Sequence, residues 1–207
     1  MAKTNALKML NGWIEVICGP MFSGKSEELL RRLNLLKYAE VSYLLFTPDI
    51  DTRSGWQKAK SRDGRVIDSI SISKSRDIIT ELNKANNVIH VIGVDECQFF
   101  DDELPEVCNY LANNGYIVIA AGLDMDGFAK PFKTMMKLLI YAEKVTKLKA
   151  VCTTCGASAS LTDTTTIRDE SIQIKIGDKN EYSARCRRCH RNNNLNPYGF
   201  AKIKKIW

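Results

Sequence analysis

One octapeptide constrains this chain more than any other feature. Gly19-Pro20-Met21-Phe22-Ser23-Gly24-Lys25-Ser26 fits G-x-x-x-x-G-K-[ST], the pattern of a phosphate-binding loop. The pattern has meaning only between a strand and a helix, and both are legible. The apolar run Trp13 to Cys18 precedes it and reads as a buried strand. Leu29, Leu30, Leu33 and Leu36 follow at helical spacing, with Glu27 and Glu28 in the first turn, where the helix dipole favours negative charge. In such a loop the glycines let backbone N–H groups close around phosphate oxygens. Lys25 reaches the β- and γ-phosphates, and the Ser26 hydroxyl can ligate Mg²⁺. These eight residues are the expected triphosphate site.

A strand feeding a phosphate loop belongs to a parallel sheet, and the rest of the chain alternates accordingly. Strands are expected at Tyr43 to Phe46, Val66 to Ile72, Val88 to Val94, Tyr116 to Ala121 and Lys144 to Ala150. Helices are expected at Ser75 to Ala85, Asp102 to Asn113 and Phe132 to Ala142, the second with Pro105 in its first turns and Gly115 beyond its end. Pro48 to Gly64 reads as a polar loop too long for a mere connection, Gly122 to Pro131 as another loop, and the Thr162 to Thr166 tract as a short polar one. The expected class is therefore α/β: a phosphate-loop domain whose parallel sheet is flanked by helices, plus a small appended module. Residues 1–11 read as a tail, 12–150 as the nucleotide-binding domain, and 151–207, rich in Thr, Ser and Arg, as the module.

A chain of 207 residues can bury one substantial core with little to spare, which fits that division. No run approaches 18 apolar residues, and Met1 to Ala6 lacks the apolar core of a signal peptide. A soluble cytoplasmic protein without a membrane partner is expected. The formal charge of +6 fits binding of nucleic acid or simply of anionic nucleotides.

Two further constellations carry chemistry. Asp95 and Glu96 end the apolar stretch Val88 to Val94, the setting in which phosphate-loop enzymes hold the Mg²⁺ shell. Asp95 is the candidate for that shell together with Ser26. Glu96, aimed differently, is the candidate general base, since a carboxylate within hydrogen-bond reach can take a proton from an attacking hydroxyl. The second constellation is Cys152-x-x-Cys155 and Cys186-x-x-Cys189, two hooks able to place four thiolates on one tetrahedral Zn²⁺, with His190 as the alternative to Cys189. Four cysteine ligands leave no open position for water, so such a zinc is structural. Cys18, Cys97 and Cys108 read as small core residues.

Taken together, Gly19 to Ser26, Asp51-Thr52-Arg53, Asp95-Glu96-Cys97-Gln98-Phe99-Phe100, Gly122-Leu123-Asp124, Lys130-Pro131-Phe132 and the paired cysteine hooks resemble the type II (cytosolic and bacterial) thymidine kinases, over nearly the whole chain from about residue 12 to 195. The resemblance implies a RecA-like domain joined to a zinc-held module with a lasso loop over the substrate. It implies a homotetramer that transfers the γ-phosphoryl of ATP, with Mg²⁺, to the 5′-hydroxyl of deoxythymidine; because contact with the 5-methyl group discriminates only about 1–3 kcal/mol, deoxyuridine is expected as a further substrate. Feedback inhibition by dTTP and a place in thymidine salvage for DNA synthesis come with it.

By position, the resemblance makes Glu96 the catalytic base and puts Asp95 and Gln98 in the magnesium and nucleotide region. It matches Asp51-Thr52-Arg53 to a second triphosphate-contacting segment. Met21, Phe99, Leu123 and Phe128 match positions around the thymine ring, although Phe128 is shifted by one place relative to some relatives. Thr162, the run Gln173-Ile174-Lys175-Ile176-Gly177 and Tyr182 match the lasso. The competing reading is a zinc-containing ATPase stimulated by nucleic acid, with arginines such as Arg185, Arg187 and Arg188 gripping a phosphate backbone. A kinase of free nucleosides needs no stable nucleic-acid partner.

Overall fold

The computed structural model describes residues 11–49, 56–60, 66–164 and 182–190. In chain order the elements of its larger part are β1 (Trp13–Cys18), α1 (Lys25–Tyr38), β2 (Tyr43–Pro48), β3 (Trp56–Lys60), β4 (Val66–Ile72), α2 (Asp77–Lys84), β5 (Val91–Val94), α3 (Leu104–Asn113), β6 (Ile117–Gly122), α4 (Lys133–Tyr141) and β7 (Lys144–Lys147). The strands form one seven-stranded sheet in the order β3-β4-β2-β5-β6-β1-β7. Every neighbouring pair is parallel except β3 with β4. This is the α/β architecture that the phosphate loop predicts.

The side-chain period of two sorts each strand between two apolar layers. Ile14, Val16 and Cys18 of β1, Phe46 of β2, Ile92 and Val94 of β5, and Val118 and Ala120 of β6 face one layer, closed by Ile78 of α2, Leu104, Val107, Cys108 and Leu111 of α3, and Met135 and Leu138 of α4. Ile17, Leu45, Val91, Ile119 and Ala121 face the other, closed by Leu29, Leu30 and Leu33 of α1. Central strands buried on both faces read as continuous apolar runs, which is why the sequence displays them plainly. Cys18, Cys97 and Cys108 are fully buried, as small core residues should be.

The stretch Pro48 to Gly64 is not loop throughout, because β3 lies within it and pairs antiparallel with β4. An edge strand has only one neighbour and tolerates polar and lysine residues, so Trp56-Gln57-Lys58-Ala59-Lys60 carried no apolar signature. The strand expected over Val88 to Val94 is confined to its last four residues, with Val88 largely exposed. The one expected over Lys144 to Ala150 is broken into β7 and a separate β8 (Ala150–Val151).

Beyond residue 150 lie two small antiparallel pairs, β8 with β9 (Ser158–Ala159) and β10 (Leu161–Thr164) with β11 (Tyr182–Arg185). The reading of Thr162-Asp163-Thr164 as a polar loop is therefore corrected, for all four residues of β10 are buried. Their polar groups find partners in place of water. The Thr162 hydroxyl accepts from the Met21 backbone, the Thr162 carbonyl meets His190, and Arg185 lies 3.5 Å from Asp163. Thr165 and Thr166 lie outside the described residues.

Candidate active site

Parallel strands deliver their carboxyl ends to one rim of the sheet, where α/β proteins bind ligands. There β1 runs into the phosphate loop, β5 into Asp95, β6 into Leu123 and β7 into Leu148. Gly24 is the residue before α1 and has φ 81°, a left-handed turn that glycine makes without penalty. The α1 amide groups thus open directly from the loop, with Glu27 and Glu28 in the first turn. Inside the loop the Lys25 ammonium and the Ser23 hydroxyl both donate to the Pro20 carbonyl at 2.8 Å. Burial drives the Lys25 ammonium below its ordinary pKa, and the carboxylates of Glu96, Asp95 and Asp124 offset part of that effect.

Asp95 faces the loop from the next strand but one. It is buried, and the Ser26 hydroxyl and the Glu96 backbone N–H both donate to it, the latter at 2.9 Å. Burial first, and the Glu96 charge second, push the Asp95 carboxyl up to about 7 against those hydrogen bonds and Lys25. A buried acid that meets a hydroxyl and an ammonium suits a position where a divalent cation can be shared. Glu96 has φ 53° and ψ 42°, a left-handed conformation that a residue with a side chain adopts at a cost of roughly 1–3 kcal/mol. Its carboxylate accepts from Gln98 Nε2 at 2.5 Å, and Gln98 Oε1 accepts from the Leu123 backbone at 2.8 Å.

Of the residues matched to the thymine site, several are tied to this rim. The Met21 backbone donates to the Thr162 hydroxyl at 3.0 Å, bridging the phosphate loop to β10. Phe99 ends the short 3-10 turn Cys97–Phe99 that follows Glu96, and Leu123 is held by Gln98. The loop carrying Phe128 is shaped by Asp126, which accepts from the Phe128 and Lys130 backbones at 2.9 Å, and the Lys130 ammonium lies 5.9 Å from the Phe128 ring centre. Tyr182 opens β11 opposite Thr164. Asp51, Thr52 and Arg53, and the run Gln173, Ile174, Lys175, Ile176 and Gly177, lie outside the described residues.

The four cysteines Cys152, Cys155, Cys186 and Cys189 converge, with their sulfurs all within 4.8 Å of one another. Cys155 and Cys186 are 3.7 Å apart, against the roughly 3.8 Å that a tetrahedron with 2.3 Å zinc–sulfur bonds requires. The backbone N–H of Cys186, followed by those of Thr154 and Cys155, holds the Cys152 thiol down at about 6, whereas the sulfurs of Cys155 and Cys186 push Cys189 up to about 12. Four thiolates this close need a cation to ionise together, so the donor set fits zinc. His190 is not a competing ligand. It is buried with its ring on the Thr162 carbonyl at 2.9 Å, leaving Cys189 as the fourth donor.

A family model for thymidine kinase matches residues 12–190. The chain belongs to the thymidine kinase family. It is 47% identical over 202 residues to a thymidine kinase of Ureaplasma urealyticum serovar 10, spanning 92% of this chain and 88% of that one. It is 45% identical over 197 residues to a thymidine kinase of Ureaplasma parvum serovar 3 and over 198 residues to one of Mycoplasmoides gallisepticum. Among solved structures, the Legionella pneumophila ATPase DotB superposes with a TM-score of 0.41 at 13% identity, covering 76% of this chain and 46% of that one, too remote to bear on function. Thymidine kinase family membership makes this chain a kinase that phosphorylates thymidine, and leaves the nucleic-acid-stimulated ATPase without support.

Two contacts at the rim were not legible in the sequence, although the residues that make them lie in motifs it displays. Asp124 is buried at the rim and paired with Lys147 at 2.6 Å, and its charge reaches Lys25. Phe22, with φ 67°, packs against the module's small core of Ala150, Cys152, Ala159 and Ala184. Phe22 belongs to the phosphate-loop octapeptide and Asp124 to the Gly122-Leu123-Asp124 motif, but neither contact has a local signal. Each depends on contacts between segments far apart in the chain.

Proposed function

We propose that Glu96 is the general base that takes the proton from the 5′-hydroxyl of deoxythymidine while the γ-phosphoryl of ATP transfers in line. The observation that carries this reading is the Asp95 carboxyl, which accepts from the Ser26 hydroxyl and the Glu96 N–H, with the Asp95 and Glu96 charges acting on the buried Lys25 ammonium. Lys25 would offset charge on the phosphates, and Gly19, Pro20, Met21, Phe22, Ser23, Gly24 and Ser26 would supply the cradle. Ser26 and Asp95 have the donor types for Mg²⁺, which supplies further positive charge at the β- and γ-phosphates. Arg53, with Asp51 and Thr52, completes the triphosphate contacts in this reading.

The acceptor nucleoside lies between Met21, Phe99, Leu123 and Phe128, under a lasso formed by Thr162, Gln173 to Gly177 and Tyr182. A pocket that reads the thymine methyl by contact discriminates only about 1–3 kcal/mol, so deoxyuridine is also accepted. The cysteine cluster holds structural zinc within the 151–207 module, and 12–150 is the nucleotide-binding domain. No helix among the described residues is long and apolar enough to cross a membrane. A cytoplasmic place in thymidine salvage, a homotetramer and feedback by dTTP follow from family likeness.

The test is phosphoryl transfer from ATP with Mg²⁺ to deoxythymidine, deoxyuridine, deoxycytidine and deoxyadenosine. Glu96→Ala is expected to lower kcat by about 10²–10⁴ with ATP affinity preserved, the usual cost of losing a general base. Near-normal turnover in that variant would remove Glu96 from the role.

A further inference from the structure

We infer that Gln98 is a positioning residue that aims the Glu96 carboxylate and ties its direction to the loop beneath the acceptor nucleoside. The inference rests on the reading of Glu96 as base. Resemblance alone puts Gln98 beside the nucleotide, but the geometry assigns both ends of its amide elsewhere. Gln98 is 3% exposed, and its Nε2 donates to Glu96 Oε2 at 2.5 Å while its Oε1 accepts from the Leu123 N–H at 2.8 Å. A backbone N–H can only donate, so Oε1 must face Leu123 and the NH₂ end must face Glu96.

The surroundings are shaped for this side chain. A Cβ on Gly122 would sit 2.8 Å from Gln98 Oε1, so the end of β6 must lack a side chain for the amide to enter. Glu96 is in the left-handed region, and the same turn that bends the backbone there carries Gln98 two residues on. The direction of the base is therefore not inherited from β5. It is set by a hydrogen bond from the turn that follows. The other end of the same amide fixes Leu123, a proposed neighbour of the thymine ring. One buried side chain thus sets the distance between base and acceptor, and small errors in such a distance are costly to phosphoryl transfer.

The experiment is a double-mutant cycle in kcat, KM for thymidine and directly measured ATP affinity, on the full chain. Gln98→Met fills the space and removes both polar ends. It is expected to lower kcat about 10–100-fold with ATP affinity within about twofold, and to change kcat less than about twofold when added to Glu96→Ala, because its effect passes through that carboxylate. If Gln98→Met does not fold, Gln98→Glu keeps an acceptor for Leu123 and loses the donor to Glu96, and the same non-additive loss is expected. Losses that multiply in the double variant, an unchanged kcat, or weakened ATP binding at normal kcat would each overturn the inference. Should Glu96→Ala itself turn over normally, it is the base reading that fails. A crippled Glu96→Ala with an additive Gln98 effect sinks the positioning role alone.

Discussion

The sheet and the cysteine module are held together by opposite means. The sheet buries apolar residues on both faces, and Ile14, Leu29, Leu33, Phe46, Ile92 and Met135 are almost wholly removed from water. Among the described residues beyond 150, the buried apolar side chains are Cys152, Ala159, Leu161 and Ala184, together with the polar Thr162, Asp163, Thr164, Ser183 and His190. Alanines and threonines contribute little transfer free energy, at about 25 cal/mol per Å² of apolar surface. This described part has little apolar burial to order it, and the four converging cysteines are the feature that sets it apart from the sheet. The comparison teaches where each kind of order is placed: apolar packing sets the residues at the strand ends, and the small core beside the cysteine cluster lies against Phe22 of the phosphate loop.

Metal removal gives the largest test of this contrast. Structural zinc in small domains is worth about 10–16 kcal/mol, so chelation or Cys186→Ser should abolish zinc content and release amide protection in β10 and β11, leaving β5 and β6 protected. Equal deprotection of the sheet would break the comparison. Next, Leu33→Ala should cost about 2–5 kcal/mol and lower Tm without changing zinc stoichiometry, because that side chain serves the α1 layer alone. Smaller again, Thr162→Val keeps the shape but removes the acceptor for Met21, and should weaken the joint by about 0.5–1.5 kcal/mol, read as faster exchange of the Met21 amide.

The smallest effect is electrostatic and confined to α1. Hydrogen bonding from Arg31 first, then Arg32, holds the Glu28 carboxyl down at about 2. A depressed folded-state pKa gives stability that is present above the ordinary value of 4.5 and lost as pH falls from there towards 2. Glu28→Gln should flatten that part of the acid-unfolding curve and leave the curve above pH 5 or so parallel to the parent's. An unchanged acid limb would show that the arginines give Glu28 nothing.

What the sequence revealed follows from how each part is stabilised. Strands buried on both faces, such as β1 and β6, spell out their burial in apolar runs, and the phosphate loop spells out its turn in Gly19 and Gly24. The order of β5 and its acidic pair was legible for the same reason. β10 was not, because Thr162-Asp163-Thr164 is buried through hydrogen bonds supplied from distant segments, and a polar residue does not advertise its partner. The cysteine hooks identified the ligands, but only the fold placed His190 on the Thr162 carbonyl. Chemistry carried by residue type was readable; chemistry carried by a contact, as with Gln98 and Asp124, was not.

The left-handed backbone at Glu96 has a consequence for selection. Glycine occupies that region freely, so Glu96→Gly relieves strain that the native residue sustains. A search for heat-resistant variants that scores survival of the fold alone sets that relief against the buried Gln98 donor left without its carboxylate and against glycine's wider freedom in the unfolded chain. A screen that demands turnover also weighs the proposed proton transfer, so the two kinds of screen part company at residue 96.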